Sequence, residues 1–130
     1  MEAFSVEARV PGGPHAAARA RRLIESELNG RLPRALLADV ALLTTELVAN
    51  GVRHGGGGGP DRYLRLLLEG SGPTLRVEVT NADGVRGAIA PRPPDLSGGG
   101  GIGLHLVERL AARWGVRQAP RAAVWFEIDC

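Results

Sequence analysis

The segment Leu43–Gly59 reads LTTELVANGVRHGGGGG, and its spacing decides how the rest of the chain is arranged. At 3.6 residues per turn, Leu36, Val40, Leu43 and Leu47 fall on one apolar stripe, while Glu46, Asn50 and Arg53 run along the flank beside it. That is the pattern of a buried helix with a polar edge. A carboxylate and a carboxamide one turn apart suit two jobs: the carboxylate can polarise a hydroxyl or a water, and the amide oxygen can help hold a hard cation. Five glycines, Gly55 to Gly59, then take the chain out of the helix abruptly, with no side chains to obstruct a ligand. The plain alternative is an amphipathic helix with a solvated edge and a glycine cap. A second glycine-rich element later in the chain weighs against it.

Working outward, Pro33 suits the opening turn of this helix, which is predicted to run to about His54. Upstream, Phe4–Val10 (FSVEARV) alternates apolar and polar up to Pro11-Gly12-Gly13-Pro14, the pattern of a first strand at a sheet edge. His15–Leu28 has helical spacing with Ala18, Leu23, Ile24 and Leu28 to one side, and Asn29-Gly30 supplies a stop. Downstream, Tyr63–Glu69 (YLRLLLE) and Leu75–Thr80 (LRVEVT), joined through Gly70-Ser71-Gly72-Pro73, predict an antiparallel hairpin.

Asn81–Gly101 has three prolines, many glycines and little apolar periodicity, so it is expected to be a long loop of the kind that forms lids or binding segments. Leu104–Trp114 shows apolar residues at Leu104, Val107, Leu110 and Ala111, which predicts a third helix ended by Gly115. Ala123–Ile128 (AVWFEI) is a closing strand. The natural solution is an α+β fold: a two-layer α/β sandwich whose mainly antiparallel, mixed sheet is covered on one face by about three helices.

The chain has 130 residues, which fits one domain over residues 1–130 with a single core. Aromatic residues are only 4% of it, so Leu, Val and Ala must fill that core. All 16 basic residues are Arg, spread from Arg9 to Arg121 rather than gathered in a patch, and net charge is +2, which argues against direct nucleic-acid binding. The single cysteine, Cys130, excludes an internal disulfide. With no charged leader and no uninterrupted apolar run of bilayer-spanning length, a cytoplasmic protein without a membrane partner is expected.

Gly98–Leu106, GGGGIGLHL, opens directly into the third helix. A helix N-terminus presents unpaired N–H groups and a positive dipole end, and glycines before it let a phosphate chain approach that backbone, so an anion site is the physical expectation. A bare flexible hinge is the alternative. A Walker A loop is excluded because the chain has no Lys. The dinucleotide pattern fails too, since the glycines follow a proline-bearing loop instead of a strand.

Three ordered segments, ELVANGVRHG (Glu46–Gly55), VEVTNADG (Val77–Gly84) and GGGGIGLHLVERLA (Gly98–Ala111), resemble the N, G1 and G2 boxes of the GHKL ATPases, the superfamily of histidine kinases, gyrase, Hsp90 and MutL. The short form with Trp114-Gly115 near the end and a closing VWFEI strand is similar to the stand-alone anti-sigma factor serine kinases and related bacterial regulatory ATP-binding proteins. The resemblance implies ATP and Mg2+ as cofactors. It implies Glu46 as the general base acting on an acceptor hydroxyl, and Asn50 as the Mg2+ ligand bridging to the ATP phosphates. Arg53 and His54 are implied as phosphate or lid contacts. Gly99, Gly101, Ile102 and Gly103 with the Leu104 backbone match the turn that wraps the phosphates, and Gly84–Gly98 matches the ATP lid. The G1 box departs from the family's Asp-x-Gly: Asn81 stands at the Asp position and Asp83 at the Gly position. Either the Asn81 carbonyl reads the adenine amino group, or a one-residue shift brings Asp83-Gly84 into the role. As simple turn formers, Asn81 and Asp83 would do neither.

Two functions follow. The first is an ATP-dependent protein serine kinase that also binds a regulatory partner, a sigma factor or its antagonist, with a homodimer compatible with the sequence. The second is a partner-binding module with weak or no ATP binding, which the altered G1 box favours and the intact Glu46/Asn50 pair opposes. A detached ATPase domain of a histidine kinase is a third reading, less suited to so short a chain. His54 lies inside the nucleotide motif, and His15 and His105 are more simply surface or packing residues.

Overall fold

The computed structural model describes residues 1–54, 63–81, 101–117 and 122–130. Among them the chain forms β1 (Phe4–Pro11), α1 (Ala16–Leu28), α2 (Arg34–His54), β2 (Tyr63–Ser71), β3 (Thr74–Asn81), α3 (Gly101–Leu110), β4 (Arg113–Arg117) and β5 (Ala123–Asp129). The strands make one five-stranded sheet in the order β1-β2-β3-β5-β4. Every neighbouring pair is antiparallel, so the sheet is not mixed as the sequence suggested. Among these pairs, β2 and β3 join directly through Gly72-Pro73, whose Gly72 takes φ +58°, the left-handed conformation a tight hairpin turn requires.

Period-two alternation sends one set of strand residues to the helices. Leu64, Leu66 and Leu68 of β2, Leu75, Val77 and Val79 of β3, and Val124, Phe126 and Ile128 of β5 are all buried. Their register places Leu68, Val77 and Phe126 side by side across the three central strands. The helical layer meets them with Ala16, Ala20, Ile24 and Leu28 from α1, Val40, Leu43, Leu47 and Val48 from α2, and Val107 from α3. By length and composition Arg34–Val52 of α2 could cross a bilayer, although Asp39 and Glu46 interrupt its apolar run. In this fold it is the central core helix, packed against α1, β2, β3 and α3.

Among the described residues, the other sheet face carries ion pairs and no helix. Arg113 donates to Glu127 at 2.7 Å and to Asp129 at 2.6 Å, and hydrogen bonding to this guanidinium holds both carboxyls below their ordinary range. Buried Glu78 accepts from Arg117 at 2.8 Å and from Arg76 at 3.4 Å. The Arg76 guanidinium lies 4.1 Å from the Trp125 ring centroid. Beneath that ring is Gly115 of β4, where an added Cβ would fall 2.7 Å from the indole carbons. Gly115→Ala is therefore expected to push Trp125 out of its stack and destabilise the fold by about 1–3 kcal/mol, read as a lowered urea midpoint. An unchanged midpoint would mean that the close approach is not a constraint.

The structure corrects three further expectations. Trp114-Gly115 is not the end of a helix: α3 stops at Leu110, and Arg113–Arg117 turns back as edge strand β4, with Ala112 donating to the Glu127 carbonyl at 2.9 Å. Leu110 is consequently exposed. Both ends of the segment Asn81–Gly101, expected to be a loop, belong to regular elements, since Asn81 completes β3 and Gly101 opens α3; residues 82–100 lie outside the described residues. In α1 the buried face runs through Ala16, Ala20, Ile24 and Leu28, and Ala18 is exposed.

Candidate functional site

The site is built on α2. Packing Val40, Leu43, Leu47 and Val48 into the core fixes the rotation of this helix. That rotation sets Glu46 at partial exposure on the helix flank and leaves Asn50, one turn further on, only 7% exposed. Residues at this spacing have Cβ atoms about 6 Å apart, so carboxylate and carboxamide serve one small region. A part-exposed acid beside a packed amide is a group that reaches a ligand next to a group held still.

Two threonines precede the pair. Thr45 donates its hydroxyl to the Ala41 carbonyl at 2.7 Å, the usual way a helical hydroxyl is satisfied. Thr44 is fully buried, and its Oγ1 has no partner among the described residues. Thr44→Val, which keeps the shape and removes the hydroxyl, is expected to raise stability by about 1 kcal/mol, seen as a higher thermal midpoint. A lower midpoint would show that the hydroxyl is satisfied in solution.

The sheet topology places the other predicted segments at the same end of the molecule as the C-terminus of α2. Leu64, at the start of β2, pairs with Asn81 at the end of β3. Thr80 pairs with Ala123 at the start of β5, and Ala123 with Arg117 at the end of β4. Residues 55–62, 82–100 and 118–121, which lie outside the described set, are all joined at this end. α3 returns to the opposite end, where two residues connect Leu110 to the start of β4. Since ten helical residues span about 15 Å, the N-terminus of α3 at Gly101 is directed back toward the site end. α2 packs against both β3 and α3, so one helix adjoins both other motif-bearing elements.

Of the expected site residues, Glu46 and Asn50 are placed with their side chains. Arg53, His54 and Asn81 are placed by backbone, at the ends of α2 and β3, as are Gly101, Ile102, Gly103 and Leu104 in the first turn of α3. Their side chains lie outside the described ones, and so do Asp83, Gly84 and Gly99 altogether. Gly101 and Gly103 prove to be helical, so the unpaired N–H groups of α3 begin within the glycine-bearing segment itself. What sequence reasoning missed at this end is β4, whose terminus Arg117 borders the same rim. The alternation in Arg113-Trp114-Gly115-Val116-Arg117 was the available signal.

Mg2+ binds through one or two protein oxygens, substrate phosphates and water rather than in an all-protein cage. The donor set here fits that habit: Asn50 supplies one packed carboxamide, and no group of three or more His, Cys, Asp or Glu residues gathers among the described residues.

An antiparallel sheet backed by three helices, with an acid and an amide on the central helix and a glycine-rich helix N-terminus at the same end, defines a nucleotide-binding sandwich of the ATPase type. The chain matches the histidine kinase-like ATPase domain over residues 10–127 and belongs to that family. Membership makes ATP its ligand and generally Mg2+ the accompanying ion. No curated protein matches the chain.

Proposed function

We propose that this ATP-binding domain is a cytoplasmic protein serine kinase of the anti-sigma type, transferring phosphate to a serine of a partner protein. The reading rests above all on Glu46 standing partly exposed one helical turn before the buried Asn50. A domain that only sequesters a partner has no use for an accessible acid so close to the cation ligand. Glu46 takes the proton of the acceptor hydroxyl as that oxygen bonds to the γ-phosphorus of ATP and the bond from this phosphorus to the bridging oxygen breaks, releasing ADP. Asn50 would hold the cation through its carboxamide oxygen, and its packing lowers the cost of ordering that group. When bound, Mg2+ neutralises charge on the phosphates. The glycine-bearing start of α3 offers backbone N–H groups to the phosphate oxygens. Adenine reading falls to Asn81 at the end of β3 or to Asp83-Gly84 beyond it. A sigma factor and its antagonist are the partner class the reading implies.

The first test is calorimetric titration of ATP with and without Mg2+. Asn50→Ala is expected to weaken Mg2+-dependent binding by at least about tenfold with the fold intact by circular dichroism. Equal affinity in the variant would remove Asn50 from the site. No binding by the parent protein would favour the second reading, a sequestration module, which the altered G1 box supports.

A further inference from the structure

We infer that Asp39 and Leu42 of α2 select the segment that carries the acceptor serine: beside that serine the partner presents an apolar side chain to Leu42 and a basic one to Asp39. This selection presupposes the serine kinase reading above and gives it a substrate class, a serine set among apolar and basic residues.

Asp39, Leu42 and Glu46 stand at i, i+3 and i+7 on α2, the spacing that keeps side chains on one flank of a helix. Leu42 precedes Glu46 by one turn, with Cβ atoms about 6 Å apart, and Asp39 lies about 10 Å from Glu46 along the axis. Asp39 and Glu46 are half-buried and Leu42 is 42% exposed, so all three reach the surface. Beyond Glu46 the same flank is taken: Asn50 and the glycine-bearing start of α3 serve the cation and the phosphates, which leaves the turns before Glu46 to the partner. Serine carries its hydroxyl on a single methylene, so its backbone must come down close to the helix to reach the Glu46 carboxylate. Leu42 and Asp39 are what its neighbours meet there.

Charge fixes the chemistry of the partner. On the sheet, Glu7, Glu78, Glu127 and Asp129 each have an arginine within 3.4 Å, whereas among the described residues no cation pairs with Asp39. Between Arg34 and Arg53, α2 has no basic residue of its own. A basic group on the partner therefore meets Asp39 without a competitor, and an acidic one is repelled by Asp39 and Glu46 together. Leu42 adds nothing to the core, because Val40, Leu43, Leu47 and Val48 fix the helix from its other side. A single exposed leucine is ordinary on a protein surface. This one stands a turn away from the acid that the acceptor must touch, where an apolar neighbour of the serine would cover it and leave water.

The test is transfer of labelled phosphate from Mg2+-ATP to a library of serine peptides in which each position flanking one fixed serine is varied in turn. The parent protein should favour Arg or Lys over Asp or Glu at one flanking position by about fivefold or more, and Leu over Ser at another by a similar factor. Asp39→Arg should invert the charge preference at that position, and Leu42→Ser should abolish the apolar one, each with ATP affinity within about twofold of the parent. A purely structural role for either residue would lower all transfer evenly and leave both preferences in place. Labelling without a charge preference, or the same preference in Asp39→Arg, overturns the proposal and leaves the kinase reading standing. If the parent labels no peptide although it binds Mg2+-ATP, the kinase reading falls and this selection falls with it. Should Asp39→Arg unfold the chain, Asp39→Asn takes its place and should erase the charge preference; a preference that survives it overturns the proposal.

Discussion

Glu46→Gln is expected to lower phosphotransfer to the partner serine by about 100- to 10,000-fold, the range that one positioned general base contributes. ATP affinity and partner binding should stay within about twofold, which is well under 1 kcal/mol. The amide keeps the size and the hydrogen-bonding capacity of the side chain and removes its ability to accept a proton. Glu46 is partly exposed on a helix whose core contacts come from Val40, Leu43, Leu47 and Val48, so the substitution leaves the packing untouched. The measurement is single-turnover transfer of labelled phosphate with nucleotide binding followed in parallel. Unchanged transfer would eliminate Glu46 as the base; loss of ATP binding along with transfer would make it a ligand-holding residue instead.

The second large effect concerns stability. Phe126 is fully buried on the middle of β5, between Val77 of β3 and Trp114 of β4. Phe126→Ala should therefore cost about 3–5 kcal/mol, a large share of the roughly 5–15 kcal/mol that holds a domain of this kind folded. Urea unfolding of the variant should show a midpoint far below that of the parent with a similar slope. A loss under about 1 kcal/mol would mean that the three strands repack around the void.

Most of the architecture was legible because its signals are local. The α2 stripe, the β2–β3 hairpin with its Gly-Pro turn and the alternation of β5 each lie within a short window, and the Glu46/Asn50 spacing needs only a helix to become a site. What failed depended on distant partners. Leu104, Val107, Leu110, Ala111 and Trp114 fit helical periodicity as well as Arg113–Arg117 fits a strand. The decision falls to the pairing of Trp114 with Phe126 and of Ala112 with the Glu127 carbonyl. Likewise, Gly101 and Gly103 argue against a helix start on intrinsic preference, at about 1 kcal/mol each, yet α3 includes both. In α1 the run of alanines carries little periodic contrast, so Ala18 and Ala20 could not be told apart before α2 was in place. At the site, the motif residues were readable; their convergence on one end of the sheet came from the strand order.

The two tryptophans give the molecule a pair of optical reporters, one on each side of the same sheet. Trp114 belongs to the apolar layer beside Phe126, while Trp125 lies on the charged side beneath Arg76. Both indoles are partly buried, and removing either one isolates the other's emission. Events in the helical layer and events on the open face therefore have separate spectral signatures without any dye attached.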